Sequence, residues 1–180
     1  VMAANVGLTA TEAATKVAVA MGLPVGMNVL TYDAYADQAS MTDDEKRDAL
    51  AVQQANNKIM TVVNTFAAVA DGSGMSATAS FDLAMGSMAD VVKAKVTAGT
   101  VLSFTTDMAA IVSAVEDDLE TYAAANTSLN ISVTDFKAIM VEAKKAVDNV
   151  VVKIDAFDIT TSDADKAAVI STIKTVVDEV

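Results

Sequence analysis

No cysteine, histidine or tryptophan occurs in the 180 residues of this chain. Without cysteine there is no disulfide frame, no thiolate nucleophile and no zinc–sulfur site. Without histidine the usual general base and the commonest metal ligand are both missing. Proline occurs once and glycine seven times, too rarely for a linker or a disordered tail. Positive charge is scarce as well: 12 lysines and arginines face 24 acidic residues, for a formal net charge of −12. Nucleic acid and anionic membrane both need a basic face, so neither is expected as a partner. An acidic surface instead favours solubility and divalent cations. Hydrophobic residues make up 53% of the chain, but Ala, Val and Met supply much of that. Their runs are interrupted well short of the ~18–20 residues of a membrane span, so no membrane insertion is expected.

Signatures of catalysis are missing too. A serine nucleophile needs a base, and no Ser-x-x-Lys sits in a strand–turn–helix setting. Gly72-Ser73-Gly74 follows a helical pattern rather than a strand, and no Gly-Lys-Ser/Thr follows it, so it is not a phosphate loop. A hydrolase built on carboxylates alone would need two acids facing each other across a cleft. Most acids here stand at helix starts, where capping accounts for them.

What the chain does have is clear helix punctuation. Thr9 precedes Glu12 at capping-box spacing, and the helix they open stops at Gly22, ahead of Pro24. The segment from Val25 to Thr31 is expected to cross the domain as a corner, dropping Leu23, Val25, Val29 and Leu30 into the core. Tyr32-Asp33 opens another short turn. Thr42 to Glu45 is a second capping box, with acids at the positive end of the helix dipole. Its helix is expected to run to about Ala70 through Val52, Ala55, Ile59, Val62, Phe66 and Val69, a rod of about 42 Å.

A third helix is expected from about Ala77 to Ala98, closed by Gly99, with Phe81, Met85, Met88, Val92 and Val96 on its inner face. Gly86 within it marks a defect or a close helix contact. Thr105 or Thr106 caps a fourth helix to about Ala125, carrying Met108, Val112, Val115, Leu119 and Tyr122. Thr134 caps a fifth. There Phe136, Met140, Ala143, Val147, Val150, Ile154 and Phe157 alternate four and three, which asks for a long straight neighbour. Asp155 to Asp163 forms a turn, and Ser162 with Asp165 caps a last helix through Ile170, Ile173, Val177 and Val180. No segment sustains period-two alternation. The fold class is therefore all-α: an antiparallel bundle of about five long helices plus short N-terminal ones. It reads as one domain over residues 1–180, with a subdivision conceivable at Asp71 to Gly74.

One stretch carries a resemblance. Gly7-Leu8-Thr9-Ala10-Thr11-Glu12-Ala13 leads a helix closed by Met21-Gly22-Leu23-Pro24. An Asn28–Ala36 segment (NVLTYDAYA) and a long alanine-rich helix follow. This order resembles a helical module that recurs in very large secreted bacterial surface proteins of the adhesin type. Ala34 stands where proline is usual there, and Met27-Asn28 where an acidic step is common. The resemblance spans roughly Val1 to Asp71. It implies secretion, an extracellular or cell-surface location and a structural role, and it brings no catalytic residues. The chain opens at Val1 inside what reads as a helix end, without a signal peptide. A processed chain or a fragment of a longer one is expected.

Three acidic knots are candidate cation sites: Asp43, Asp44, Glu45 and Asp48; Glu116, Asp117, Asp118 and Glu120; and Asp155, Asp158, Asp163 and Asp165. Calcium takes about six to eight oxygens, usually on a loop with a glycine at its sharp turn. None of the knots has that glycine. The third straddles a turn and is the best candidate for calcium; capping and a solvated surface is the competing reading. A di-metal carboxylate bundle would pair Glu-x-x-His motifs, which this chain lacks. Ten methionines would suit an adaptable groove, although Met85, Met88, Met108 and Met140 fall on core stripes. Asn56, Asn57, Thr61 and Asn64 make a polar face on the second helix that is either a contact surface or ordinary solvent exposure. Asn126-Thr127-Ser128 and Asn130-Ile131-Ser132 match the glycosylation pattern, and are read as ordinary loop asparagines. The expectation is a non-enzymatic structural or assembly module with no cofactor unless calcium binds. Its partners would be itself, as a homo-oligomer, or neighbouring domains. The alternative is a binding module with a methionine-lined groove for a peptide or apolar ligand.

Overall fold

A computed structural model describes residues 8–34, 40–162, 164, 165 and 171. They form five α-helices: α1 (Ala10–Ala20), α2 (Asp43–Gly72), α3 (Ala77–Ala98), α4 (Met108–Ala125) and α5 (Val133–Asp155), with a 3-10 turn at Thr127–Leu129. No strand occurs among the described residues. The fold is an all-α bundle, as the 3.6-residue periodicities require.

The ends of the helices follow from local chemistry. Thr9 and Thr42 each accept from a backbone N–H through the side-chain oxygen, while Glu12 and Glu45 accept from the cap N–H groups, completing both capping boxes. Those bonds, backbone first and hydroxyl second, hold both glutamates below the ordinary carboxylate range. Gly22 takes a φ of +70° just beyond α1, a left-handed step that a side chain would strain. Two caps lie elsewhere than expected. Asp107, not Thr105 or Thr106, precedes α4, and Ser132, not Thr134, caps α5 by accepting from the Asp135 N–H. Ser132 prevails because its own N–H also donates to the Ser73 carbonyl at 3.0 Å, tying the start of α5 to the end of α2.

α2 is 30 residues long, about 45 Å of rod, and it packs against both α3 and α5. At one end Ser132 meets Ser73; towards the other, Gln54 Nε2 donates to the Ile154 and Phe157 carbonyls at 2.9 and 3.0 Å. Paired positions therefore run in opposite senses along α2 and α5. The same holds for α3 and α4, where Ser87 meets Asp118 and Lys95 meets Asp107. The core runs through all four helices, with Phe66, Met88, Met108, Leu119, Phe136 and Met140 among its members. The α5 stripe from Phe136 to Ile154 is buried at every expected position and Phe157 is half-buried.

Two expected stripes are corrected. In α3, Phe81 and Met85 are 38% and 39% exposed, and the buried face is Ser80, Ala84, Ser87, Met88, Val91 and Val92. Small residues occupy the face on which α3 packs against both α2 and α4. Its buried serines stay satisfied, Ser80 by donating to the Ser76 carbonyl one turn back and Ser87 by sharing its one hydroxyl proton between the Leu83 carbonyl and the Asp118 carboxylate of α4. The corner after α1 also differs. Val25 is 96% and Leu30 49% exposed, Leu23 and Val29 are half-buried, and Met27 takes the inward place. A turn from Pro24 to Met27, with its Met27 N–H to Pro24 carbonyl bond, swings Val25 outward. Gln53 Nε2 then fixes the segment to α2 by donating to the Ala34 carbonyl at 2.7 Å. The Ser162–Asp165 cap is present, its hydroxyl accepting from the Asp165 N–H. The expected last helix through Ile170, Ile173, Val177 and Val180, and most of the turn after Tyr32-Asp33, lie outside the described residues.

Candidate functional site

Each acidic knot can now be placed. Asp155 ends α5 and accepts from Lys58 Nζ at 2.6 Å. That lysine, 18% exposed, also lies 5.5 Å from the Phe104 ring centroid, so one cation joins α2, the α3–α4 connection and the end of α5. Asp158 accepts from the N–H and hydroxyl of Thr160 at 2.7 and 2.6 Å. These bonds hold its carboxyl below the usual range, the hydroxyl first and the N–H second. Asp165 accepts from the Ser162 hydroxyl at 2.6 Å. Asp163 lies outside the described residues. Local turn and ion-pair chemistry thus engages Asp155, Asp158 and Asp165 separately. Among the described residues no group of three or more acidic side chains is placed to hold a metal.

The knot at the start of α2 behaves similarly. Asp43 and Asp44 pair with Lys46 and Arg47 at 3.7 and 2.7 Å, and Glu45 completes the cap. Asp48 and Glu45 face Tyr32, whose phenol is pushed up first by burial and then by these two charges. On α4, Glu120 pairs with Lys137 of α5. That bond, with Glu116 and Asp117 nearby, raises the Lys137 ammonium above its ordinary range against the opposing effect of burial. Asp118 turns the other way, towards α3, and accepts from the buried Ser87 hydroxyl at 2.5 Å. Among the described residues no acidic residue is buried as a whole, although Asp148 Oδ1 is buried and without a hydrogen-bond partner.

Asp118 stands on the edge of a groove between α3 and α4, ≈ 520 Å³ in volume. Ala79, Leu83, Gly86 and Asp90 form one wall, and Asp118, Thr121, Tyr122 and Ala125 the other. Leu83 and Tyr122 are half-buried and pack on the core. Gly86 has nothing within 4 Å of where a Cβ would stand, so it opens the groove rather than marking a close helix contact. Hydropathy does not find this site, because its residues are small or acidic and come from two helices. The spacing of Asp82, Gly86 and Asp90 on one α3 face is the signal that was available. A smaller hollow of ≈ 240 Å³ lies between α1 and α3, edged by Lys16, Val19, Lys95 and Val96. Neither groove has a methionine in its lining. Met88, Met108 and Met140 are core residues, as expected, and Met85 is not. The polar face of α2 is split: Thr61 is buried and donates to the Asn57 carbonyl at 2.7 Å, while Asn56 is exposed.

No described helix is long and apolar enough to cross a membrane. Comparison of the chain with protein-family models, with curated proteins and with solved structures finds no match.

Proposed function

We propose that this chain is a non-enzymatic structural or assembly module of an extracellular bacterial surface protein, of the adhesin or filament kind. The observation that carries the reading is the continuity of the core across α2, α3, α4 and α5. Cross-helix ties reinforce that core at both ends: Ser132 to Ser73, Gln54 to Ile154, Lys58 to Asp155 and Lys95 to Asp107. A long helix clamped along its length by two others transmits force and holds distance. The surface charge of −12 keeps such a unit soluble and gives divalent cations carboxylates to bridge between copies. The second reading, a binding module, is favoured by the α3–α4 groove, with Leu83 and Tyr122 in place of methionines.

Light scattering on a sizing column, in calcium and then in chelator, tests the proposal. Oligomers that depend on calcium or resist salt identify an assembly unit. A monomer of 18.5 kDa in both identifies a spacer and removes the filament form. Saturable uptake of a small apolar molecule by the monomer would replace the structural reading with the second one. Protease treatment of intact producing cells checks location: the surface reading requires that the protein be cleaved without lysis, and full protection contradicts it.

A further inference from the structure

We propose that the α3–α4 groove docks a basic amphipathic helix from a partner protein. This names a partner chemistry for the assembly reading above, on which it rests only in taking the chain to act through protein contacts.

Shape, an apolar floor and charge each support it. Ala79, Leu83, Gly86 and Asp90 follow one stripe of α3, about 16 Å or three turns long. Ala79, Gly86 and Ala125 are small enough for a helix backbone to come close. The floor is apolar, with Leu83 and Tyr122 at the edge of the core.

Charge selects the occupant. Asp82 and Asp90 stand on the rim without an ion-pair partner among the described residues, and Asp118 is held by a serine hydroxyl rather than a cation. The nearest lysine along α3, Lys93, lies past Asp90 on the adjoining surface, and Lys137 of α5 is engaged by Glu120. A second copy of a chain with net charge −12 would set acid against acid. A helix with apolar anchors at i, i+3 or i+4, and i+7 and with Lys or Arg beside them satisfies both the floor and the rim.

The absence of tryptophan from the chain makes the test direct. A synthetic Leu/Lys amphipathic helix with one Trp on its apolar face is titrated with the full chain, and the Trp emission is followed. Its Leu/Glu counterpart is the control. The Leu/Lys peptide is expected to shift to the blue and saturate, and the Leu/Glu peptide to stay in water. Gly86→Leu fills the groove at a position open to a side chain, where leucine also favours helix. It is expected to weaken binding about tenfold or more. The combined Asp82→Asn, Asp90→Asn and Asp118→Asn variant should lose about tenfold and flatten the salt dependence. Asp43→Asn, Asp44→Asn and Asp71→Asn remove the same charge elsewhere and should leave binding within about twofold.

No blue shift with the wild-type chain, undiminished binding by Gly86→Leu, or an equal loss in the remote triple variant would each overturn the proposal. Circular dichroism of each variant confirms that it is folded. Light scattering on the same samples separates the two readings. A wild-type chain that assembles but leaves the peptide in water keeps the assembly reading and loses this one.

Discussion

Replacing Asp107 by asparagine tests how the α3–α4 connection is held. Asp107 precedes α4 and accepts from Lys95 Nζ at 2.7 Å and from the Ser103 N–H at 2.8 Å. The two side chains are only 19% and 23% exposed, aspartate and lysine respectively. Asparagine keeps one acceptor but loses the charge, leaving a mostly buried ammonium unpaired. A hydrogen bond to a charged group contributes about 1.5–3 kcal/mol, and a partly exposed ion pair up to about 1 kcal/mol. With one acceptor retained, the net cost is about 2 kcal/mol. For a domain of this size that lowers Tm by roughly 4–8 °C.

The pH dependence is the sharper part of this test. The Lys95 bond, and then the Ser103 N–H, depress the folded carboxyl below the ordinary value of 3.8. A group depressed on folding contributes stability that is fully present above its unfolded pKa and is lost as pH falls through the folded one. The gap between wild type and Asp107→Asn should therefore be widest near neutral pH. It should close as pH drops below 3.8, while the other carboxylates titrate alike in both proteins. Urea denaturation from neutral pH downward measures it. A gap that stays constant with pH, or no gap at neutral pH, refutes the reasoning.

Ser132→Ala should destabilise the chain by about 1 kcal/mol and Thr134→Ala by much less, since Ser132 carries the cap of α5; urea midpoints of the two variants decide it. Val25→Asp should change stability by less than about 0.5 kcal/mol, because the side chain is 96% exposed. Met27→Ala, two residues on and 8% exposed, should cost about 2 kcal/mol; thermal melts compare them. Phe136→Ala, with its side chain wholly buried, should cost about 3–5 kcal/mol, read from the urea midpoint.

Helix ends were the most legible part of the fold. Thr9 with Glu12, Thr42 with Glu45, and Gly99 after Ala98 act through bonds within a few residues, so the sequence contains both partners. The α5 stripe was legible because large apolar residues repeat without interruption. α3 was harder to read, since hydropathy ranks Phe81 and Met85 above Ser80 and Ser87. The face that packs on α2 and α4 carries small side chains, with Ser80 bonded one turn back and Ser87 bonded one turn back and to Asp118. The Ser132 cap depends on Ser73, a contact between distant parts of the chain. The α3–α4 groove was missed for a related reason: Gly86 and Tyr122 become neighbours only once both helices are packed.

Single-molecule pulling of the chain from its two ends tests most directly whether the bundle is one load-bearing unit. If α2 to α5 share a single core, the segment from Asp43 to Asp155 should yield in one step, releasing roughly 400 Å of extended chain. Separate steps for α2 and for α3 to α5, at distinct forces, would contradict the structural-module account.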